Sequence, residues 1–270
     1  MTDRYAVIGN PVAHSLSPRI HAAFAQQTGE DIEYGAILAP MDGFAAAVGT
    51  FRSHGGCGLN VTVPFKLDAF ALATTLTDRA ESAGAVNTLK FDGASALGDN
   101  TDGAGLVADI TIRLGLPLAA KRILLMGAGG AARGVVLPLL EQKPALLAIA
   151  NRTVEKAIAL AARWKSRSNV RGGGYGDFAD ERFDVIINAT SASLSGDVPP
   201  LSKRACASAT LAYDMVYGER ATPFLATAKS FGVCRGADGL GMLIAQAAES
   251  FLIWRGVRPD TGPVIATLSA

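Results

Sequence analysis

The segment RILLMGAGGAAR, residues 122–133, decides the fold class of this chain of 270 residues. RILLM is a short apolar run of the kind that forms a buried parallel strand. The glycine-rich stretch behind it opens a helical segment, and its glycines allow a phosphate group to approach the backbone closely. N–H groups at the start of such a helix face and attract the anion. The segment therefore predicts the strand, loop and helix of a dinucleotide-binding unit.

The predicted cofactor loop consists of Gly127, Ala128, Gly129, Gly130 and Ala131. Alanine follows where the common GxGxxG pattern has its third glycine, so the pattern alone is weak and a turn without a ligand is the alternative. The preceding strand and the following helix favour the cofactor reading.

The residues after the next predicted strand indicate which cofactor binds. About twenty residues beyond the loop, where an NAD site usually carries Asp or Glu, this chain has Asn151, Arg152 and Thr153. Arginine pairs well with a 2′-phosphate, and the two neutral side chains can add hydrogen bonds. NADP is therefore predicted in preference to NAD, and a solvated surface arginine is the alternative.

Strand-like and helix-like segments alternate on both sides of this loop. Downstream, LLAIA, FDVIINA, TLAYDMV and VCRGA are predicted strands of the same doubly wound sheet. Upstream, Tyr5–Ile8, Ile32–Leu38 and Asn60–Val63 are predicted strands, with helices over Pro18–Thr28 and Asp42–Ser53 between them. This alternation predicts a second, mostly parallel sheet, and Asp92-Gly93 suits a hairpin turn that adds antiparallel strands.

The fold class is thus α/β, with two domains. Residues 1–101 and 239–270 are predicted to form a substrate domain, and residues 102–238 a Rossmann-like cofactor domain. A helix over Asp102–Gly115 joins them, and the long amphipathic helix Leu240–Trp254 returns to the first domain. Gly172–Gly174 is interpreted as a flexible or tightly turning loop.

Composition excludes several classes of protein. The chain has 25 Lys and Arg against 24 Asp and Glu, so no basic field attracts nucleic acid or an anionic membrane. No apolar run reaches the length of about 18 residues that a membrane span needs. Three cysteines without close pairing argue against disulfides and a zinc site, and the N-terminal segment does not resemble a secretory signal. We expect a compact cytoplasmic protein without a metal, a nucleic-acid partner or a membrane partner.

Polar motifs of the first domain predict the substrate site. In NVTVPFK, an extended chain would place polar residues on one face, namely Asn60, Thr62, Pro64 and Lys66. Ser17 precedes Pro18 at a helix start, so it is predicted to cap the helix, and this helix start with the hydroxyls of Ser15 and Ser17 would also accept a carboxylate. Lys66 and Asp102 form a plausible proton-transfer pair. Such a set suits a small polyhydroxylated acid.

The ordered motifs resemble one family over almost the full length of the chain. The motifs are SLSP, NVTVPFK, GAVNTL, NTDG, GAGGAA, NRT, NATSA, DMVYG and GLGMLIAQAAESF. Together they resemble shikimate dehydrogenase, which implies reversible NADP-linked interconversion of 3-dehydroshikimate and shikimate in a cleft between two α/β domains. One departure is visible, because Ser193 stands where the family usually has glycine.

The resemblance also implies roles for individual residues. Lys66 and Asp102 are implied as the catalytic pair. The implied substrate contacts, or residues that position them, are Ser15, Ser17, Asn60, Thr62, Lys66, Asn87, Asp102, Tyr217 and Gln246. The implied cofactor residues are Asp78, Gly127, Ala128, Gly129, Gly130, Ala131, Asn151, Arg152, Thr153, Thr190, Met215, Gly239 and Met242.

Three questions stay open at this stage. A free lysine is mostly charged at neutral pH, so Lys66 either has a lowered pKa and accepts the hydroxyl proton, or chiefly stabilises alkoxide charge. A relative that oxidises quinate and a non-catalytic NADP-binding regulator are the alternative functions. The sequence is compatible with a monomer or a homodimer.

Overall fold

The computed structural model describes residues 2–166, 169–218 and 220–268. It divides into two compact units, unit 1 with Met1–Gly105 and Leu243–Ala270, and unit 2 with Leu106–Met242. Each boundary lies four residues beyond the predicted one, 105 against 101 and 242 against 238, because the chain leaves each unit within a helix. The described residues of each unit form a six-stranded sheet, and the predicted α/β fold class is confirmed.

Unit 1 begins with six strands and five helices. These are β1 (Asp3–Gly9), α1 (Ser17–Thr28), β2 (Ile32–Leu38), α2 (Phe44–Ser53), β3 (Gly56–Val61), α3 (Lys66–Leu72), β4 (Thr75–Leu76), α4 (Asp78–Ala83), β5 (Thr88–Asp92), β6 (Ser95–Asp99) and α5 (Asp102–Ala108). The strand order is β2-β1-β3-β5-β6-β4. β1 pairs in parallel with β2 and β3, whereas β5 pairs antiparallel with β3 and β6. The predicted hairpin at Asp92-Gly93 is confirmed.

The extended conformation predicted for all of NVTVPFK is wrong beyond Val61. The strand β3 ends there, a turn covers residues 63–65, and α3 begins at Lys66. Val63 is 62% exposed although Phe65 is buried, so the two do not share a core face. Pro64 has no N–H to donate to a neighbouring strand, which explains why the sheet pairing stops before it.

Unit 2 is a doubly wound parallel sheet. Its elements are β7 (Arg122–Met126), α6 (Gly130–Glu141), β8 (Leu146–Ala150), α7 (Val154–Ala162), β9 (Val170–Gly173), β10 (Val185–Asn188), α8 (Lys203–Cys206), β11 (Leu211–Asp214), α9 (Pro223–Ser230) and β12 (Gly236–Ala237). The strand order is β12-β11-β10-β7-β8-β9, and all pairs are parallel. β7 therefore has β8 on one side and β10 on the other.

The glycines at 172 and 173 belong to β9 and not to the loop that was predicted. A side chain at Gly172 would place its Cβ 2.2 Å from the carbonyl oxygen of Ala157 in α7. The glycine is needed because strand and helix pack closely here, and the sequence pattern alone cannot distinguish this reason from turn formation.

Two helices complete the chain, α10 (Leu240–Arg255) and α11 (Gly262–Leu268). The predicted apolar stripe of α10 is buried at Ile244, Ala247 and Phe251. The ring of Phe251 lies 5.8 Å from that of Phe24 in α1, so the helix packs in unit 1 as predicted. In the part of the chain that the structure describes, no helix has both the length and the apolar character needed to cross a membrane.

Candidate active site

An amine and a carboxylate form an ion pair at the starts of two helices of unit 1. Lys66 is the first residue of α3 and Asp102 the first of α5. Lys66 Nζ lies 2.5 Å from Asp102 Oδ2, and their side chains are 30% and 13% exposed. The pair is thus largely shielded but still reachable from solvent. A cation is unfavourable at a helix N-terminus, so the carboxylate compensates for the position of Lys66.

The amide of Asn87 fixes the carboxylate of this pair and is itself held by the amide of Gln246. Asn87 donates from Nδ2 to Asp102 Oδ1 at 2.8 Å and to Gln246 Oε1 at 3.2 Å. Asn87 Oδ1 in turn accepts the backbone N–H of Thr101 at 2.8 Å. Asn87 and Gln246 are 3% and 8% exposed. The predicted residues Lys66, Asn87, Asp102 and Gln246 are therefore brought together in one cluster of unit 1.

Asn60 is held by hydrogen bonds to protein groups on both sides of its amide. Its Oδ1 lies 2.7 Å from the hydroxyl of Tyr34 and 3.1 Å from Nε2 of His21. Its Nδ2 donates to Ser250 Oγ at 2.8 Å and to Thr88 Oγ1 at 3.2 Å. Both lone pairs of the amide oxygen and both hydrogens of the amide nitrogen are therefore engaged. Asn60 is thus better suited to position its neighbours than to contact a substrate directly.

Ser17 is buried at the first position of α1. Its predicted capping role is wrong, because α1 starts at Ser17 itself, with Leu16 at the N-cap position and no side-chain cap. The backbone N–H of Ser17 is 3.3 Å from Ser15 Oγ. Thr62 follows β3, and its N–H donates to the carbonyl of Ile8 in β1 at 3.0 Å. The two serines and Thr62 thus lie beyond strand ends or at a helix start, where a carboxylate can be bound.

His21 and Tyr34 were not predicted as part of the site. Their rings stack with centroids 4.2 Å apart, and His21 has no solvent exposure. Burial lowers the pKa of His21 to about 3, so its ring is neutral at physiological pH. A lone histidine at an apolar helix position resembles an ordinary core residue, and only the fold shows that it contacts Asn60.

In unit 2 the glycine-rich loop has the geometry that a pyrophosphate needs. Gly127 has a φ of +117°, and a Cβ there would lie 3.0 Å from the carbonyl oxygen of Ala189. Gly129, Gly130 and Ala131 are exposed, and a Cβ on either glycine would enter open space. The first N–H groups of α6 have no intrahelical acceptors, so they are available to an anion in that space.

Asn151, Arg152 and Thr153 follow β8 directly. Asn151 Nδ2 donates to the carbonyl of Thr153 at 2.8 Å, and Arg152 and Thr153 are exposed. Burial raises the pKa of Tyr175, and the positive charge of Arg152 offsets part of that rise. A cation thus stands at the end of β8, on one side of the glycine-rich loop.

The other side of the loop carries the remaining predicted cofactor residues of unit 2. Thr190 follows β10, and Met215 follows β11. Gly239 approaches the backbone of Met215 so closely that a Cβ would lie 2.2 Å from its carbonyl oxygen. Met242 is buried in the core of unit 2, and Tyr217 is 39% exposed.

The order of the strands indicates where each half of a bound dinucleotide would lie. The glycine-rich loop follows β7, so a pyrophosphate there is central. Arg152, at the end of β8, would then meet the 2′-phosphate of the adenosine half. The nicotinamide half must extend the other way, over the ends of β10 and β11. Asp78, also predicted as a cofactor residue, is exposed in the first turn of α4 in unit 1.

The doubly wound sheet and its glycine-rich loop define a dinucleotide-dependent oxidoreductase. Three family models match the chain, "Shikimate dehydrogenase substrate binding domain" over residues 7–89, "Shikimate / quinate 5-dehydrogenase" over 110–196 and "Shikimate 5'-dehydrogenase C-terminal domain" over 239–268. The chain belongs to the shikimate dehydrogenase family, as its motifs predicted.

Similar proteins match this chain over nearly its full length. "Shikimate dehydrogenase (NADP(+))" of Nitrosospira multiformis is 60% identical over 268 residues, covering 99% of this chain and 98% of that protein. The crystal structure of shikimate 5-dehydrogenase from Thermus thermophilus in complex with NADP(H) and shikimate is 32% identical, with a TM-score of 0.86 and full coverage of both chains. A 5-ketofructose reductase of a Gluconobacter species is 28% identical, with a TM-score of 0.87 and coverage of 99% and 98%. The fold therefore also serves another polar substrate.

Proposed function

We propose that this protein catalyses the reversible NADPH-dependent reduction of 3-dehydroshikimate to shikimate. The ion pair of Lys66 with Asp102, held by Asn87, is the observation that carries the proposal. An amine beside a carboxylate, both partly accessible, is suited to exchange a proton with a substrate hydroxyl. The full-length similarity to proteins named as NADP-dependent shikimate dehydrogenases supports the same reaction.

The residues of unit 1 handle the proton and the substrate. In the direction of alcohol oxidation, the neutral amine form of Lys66 accepts the proton of the reacting hydroxyl and becomes the ammonium of the observed ion pair, which Asp102 stabilises. Asn87 and Gln246 keep Asp102 in place and offer polar atoms to the ring hydroxyls. Ser15 and Ser17 bind the carboxylate end, and Thr62 contacts the ring hydroxyls or positions its neighbours. Asn60 orients the hydroxyl of Tyr34.

The residues of unit 2 hold NADP, which supplies the hydride acceptor when it is bound. The N–H groups at the start of α6 bind the pyrophosphate, and Gly129 and Gly130 leave space for it. Arg152 binds the 2′-phosphate, assisted by Asn151 and Thr153. Thr190, Met215, Gly239 and Met242 surround the nicotinamide half. Tyr217, like Asp78 on α4, has a role that rests on the family resemblance alone.

Quinate is the second candidate substrate. It carries an additional hydroxyl on the carbon that bears the carboxylate, so the space beside Ser15 and Thr62 determines whether it fits. Arg152 in place of an acid after β8 favours NADP and argues against an NAD-preferring quinate enzyme.

An absorbance assay at the nicotinamide band tests the proposal. Purified protein is incubated with NADP and either shikimate or quinate, and then with NAD in place of NADP. We expect rapid NADPH formation with shikimate and NADP, much slower NADPH formation with quinate, and much slower NADH formation when NAD replaces NADP. Turnover that favours quinate would establish the second candidate, and binding of NADP without any turnover would establish a non-catalytic regulator.

Two further properties stay predictions. The chain is expected to act as a monomer or homodimer without a nucleic-acid partner. Its predicted cytoplasmic location agrees with the three cysteines Cys57, Cys206 and Cys234, which are free thiols in the structure.

A further inference from the structure

A fully buried carboxylate ends β11 in unit 2. Asp214 has no solvent exposure. Its Oδ2 accepts hydrogen bonds from Ser193 Oγ and Thr222 Oγ1, each at 2.6 Å. Its Oδ1 accepts from Asn188 Nδ2 and from the backbone N–H of Val216, each at 3.1 Å. All four donors are uncharged, and together they compensate for the loss of hydration.

The four donors come from two loops at the same edge of the sheet. Asn188 ends β10 and pairs with Asp214 in register on the neighbouring strand. Its Oδ1 accepts the N–H and the hydroxyl of Thr190, at 3.0 and 2.7 Å. The network therefore runs from Thr190 after β10 to the segment after β11 that contains Met215. Both loops carry residues assigned above to the nicotinamide half of NADP.

Ser193 is the link at which this chain departs from the usual family pattern. The sequence has serine here where the family resemblance implies glycine, and glycine has no hydroxyl to donate. Ser193 lies in a single helical turn, Ala192–Ser195. Thr222, by contrast, also caps α9 by accepting the N–H of Leu225 at 3.3 Å, so its contact contributes to folding as well.

We infer that the hydrogen bond from Ser193 to Asp214 positions the loop after β10 for the nicotinamide half of NADP. Ser193 is a positioning residue, because its hydroxyl contacts Asp214 and Asn188 and acts on Thr190 through Asn188. The inference rests on the proposed function only in naming NADP as the ligand.

The variant Ser193→Ala removes this bond, together with the longer one that Ser193 Oγ accepts from Asn188 Nδ2 at 3.4 Å, and changes no other side chain of the loop. Titration of the protein with NADP and with NAD, in the absence of substrate, measures the dissociation constants directly. We expect both dissociation constants to rise by about 3- to 10-fold, because only a fraction of the molecules would then hold the loop in the conformation that binds the cofactor. Their ratio should stay constant, since Arg152 lies on the other side of β7. The KM for shikimate should be unchanged, and the melting temperature should fall by no more than about 4 °C.

Two further variants serve as comparisons. Ser193→Thr keeps the hydroxyl and should retain the affinity of the parent protein. Ser195→Ala removes a hydroxyl from the same turn, one that bonds only within the loop to the carbonyl of Ala192 and to Asp197, and should also leave affinity unchanged.

Unchanged dissociation constants in Ser193→Ala, or an equal rise in Ser195→Ala, would overturn the inference. So would a rise accompanied by a higher KM for shikimate and a large loss of thermal stability, since that pattern indicates general destabilisation. The proposed function fails separately, if the parent protein binds NADP but does not oxidise shikimate.

Discussion

Lys66 shows what the sequence can reveal about a proposed catalytic residue and what it cannot. The motif NVTVPFK predicts that a lysine lies near a strand end, but the predicted alternation of faces is wrong beyond Val61. The lysine reaches Asp102 because the turn at residues 63–65 places it at the start of α3. The motif therefore predicts the residue, and only the tertiary structure shows where its amine points.

Arg152 is the residue on which, in our proposal, the preference for NADP over NAD depends. The exchange Arg152→Ala should weaken NADP by roughly 1.5 to 3 kcal/mol for each charge-assisted bond that is lost, and it should affect NAD far less. Titration with both cofactors measures the difference. Arg163→Ala, at the exposed opposite end of α7, is the matched control and should change neither affinity. Equal losses for NADP and NAD in Arg152→Ala would contradict the phosphate role.

His21 gives the protein a pH dependence that can be measured. Burial lowers its pKa from 6.5 to about 3, whereas the unfolded chain has the ordinary value. Between these limits the unfolded state binds more protons, so the free energy of unfolding falls as the pH falls below about 6.5, with a slope approaching ~1.4 kcal/mol per unit. Urea unfolding at several pH values should show a shallower slope for His21→Gln than for the parent protein.

His54→Gln is the control for this titration, because His54 is exposed. It should leave the slope as it is. The interpretation of His21 is wrong if His21→Gln and the parent protein lose stability in parallel between about pH 6.5 and about pH 4.

At the scale of elements, close contacts explain glycines that the sequence pattern leaves ambiguous. Gly241 lies in the first turn of α10, and a Cβ there would lie 2.0 Å from Asp109 Oδ1. Asp109 is buried and fixed by Arg113 and by the hydroxyl of Tyr213 at 2.7 Å, so it has no room to move away. The sequence shows a glycine in a helix, but not the carboxylate against it.

Gly241→Ala should therefore destabilise the protein by about 1 to 3 kcal/mol, the usual effect of overpacking. Gly49→Ala in α2 is the matched control, since a Cβ there meets no atom within 4 Å. Alanine favours a helix by about 1 kcal/mol over glycine, so the control should be stabilised. Chemical denaturation measures both, and a stabilised Gly241→Ala would contradict the contact.

Element prediction succeeded where a pattern is periodic or a turn pair is diagnostic. The apolar stripe of α10 and the hairpin at Asp92-Gly93 are examples. It failed where packing decides, as at Gly172, or where no long pattern exists. α11 and the two-residue strand β4 belong to that second kind, because short elements depend on tertiary contacts for their stability.

For the whole molecule, the structure assigns different tasks to the two units. The polar cluster around Asp102 lies in unit 1, and the glycine-rich loop with Arg152 lies in unit 2. The motif order predicted this division and the family. It did not predict the buried network of His21, Tyr34 and Ser250, whose members are far apart in sequence and resemble ordinary core residues.

The most direct test of the central claim compares turnover and cofactor binding in Lys66→Ala. Positioned proton transfer contributes roughly 10²- to 10⁴-fold, so kcat for shikimate oxidation should fall by that factor. The dissociation constant for NADP should stay within about twofold of the parent value, because unit 2 is untouched. Near-normal kcat in Lys66→Ala, with NADP bound normally, would contradict the assignment of Lys66 as the proton-transferring group.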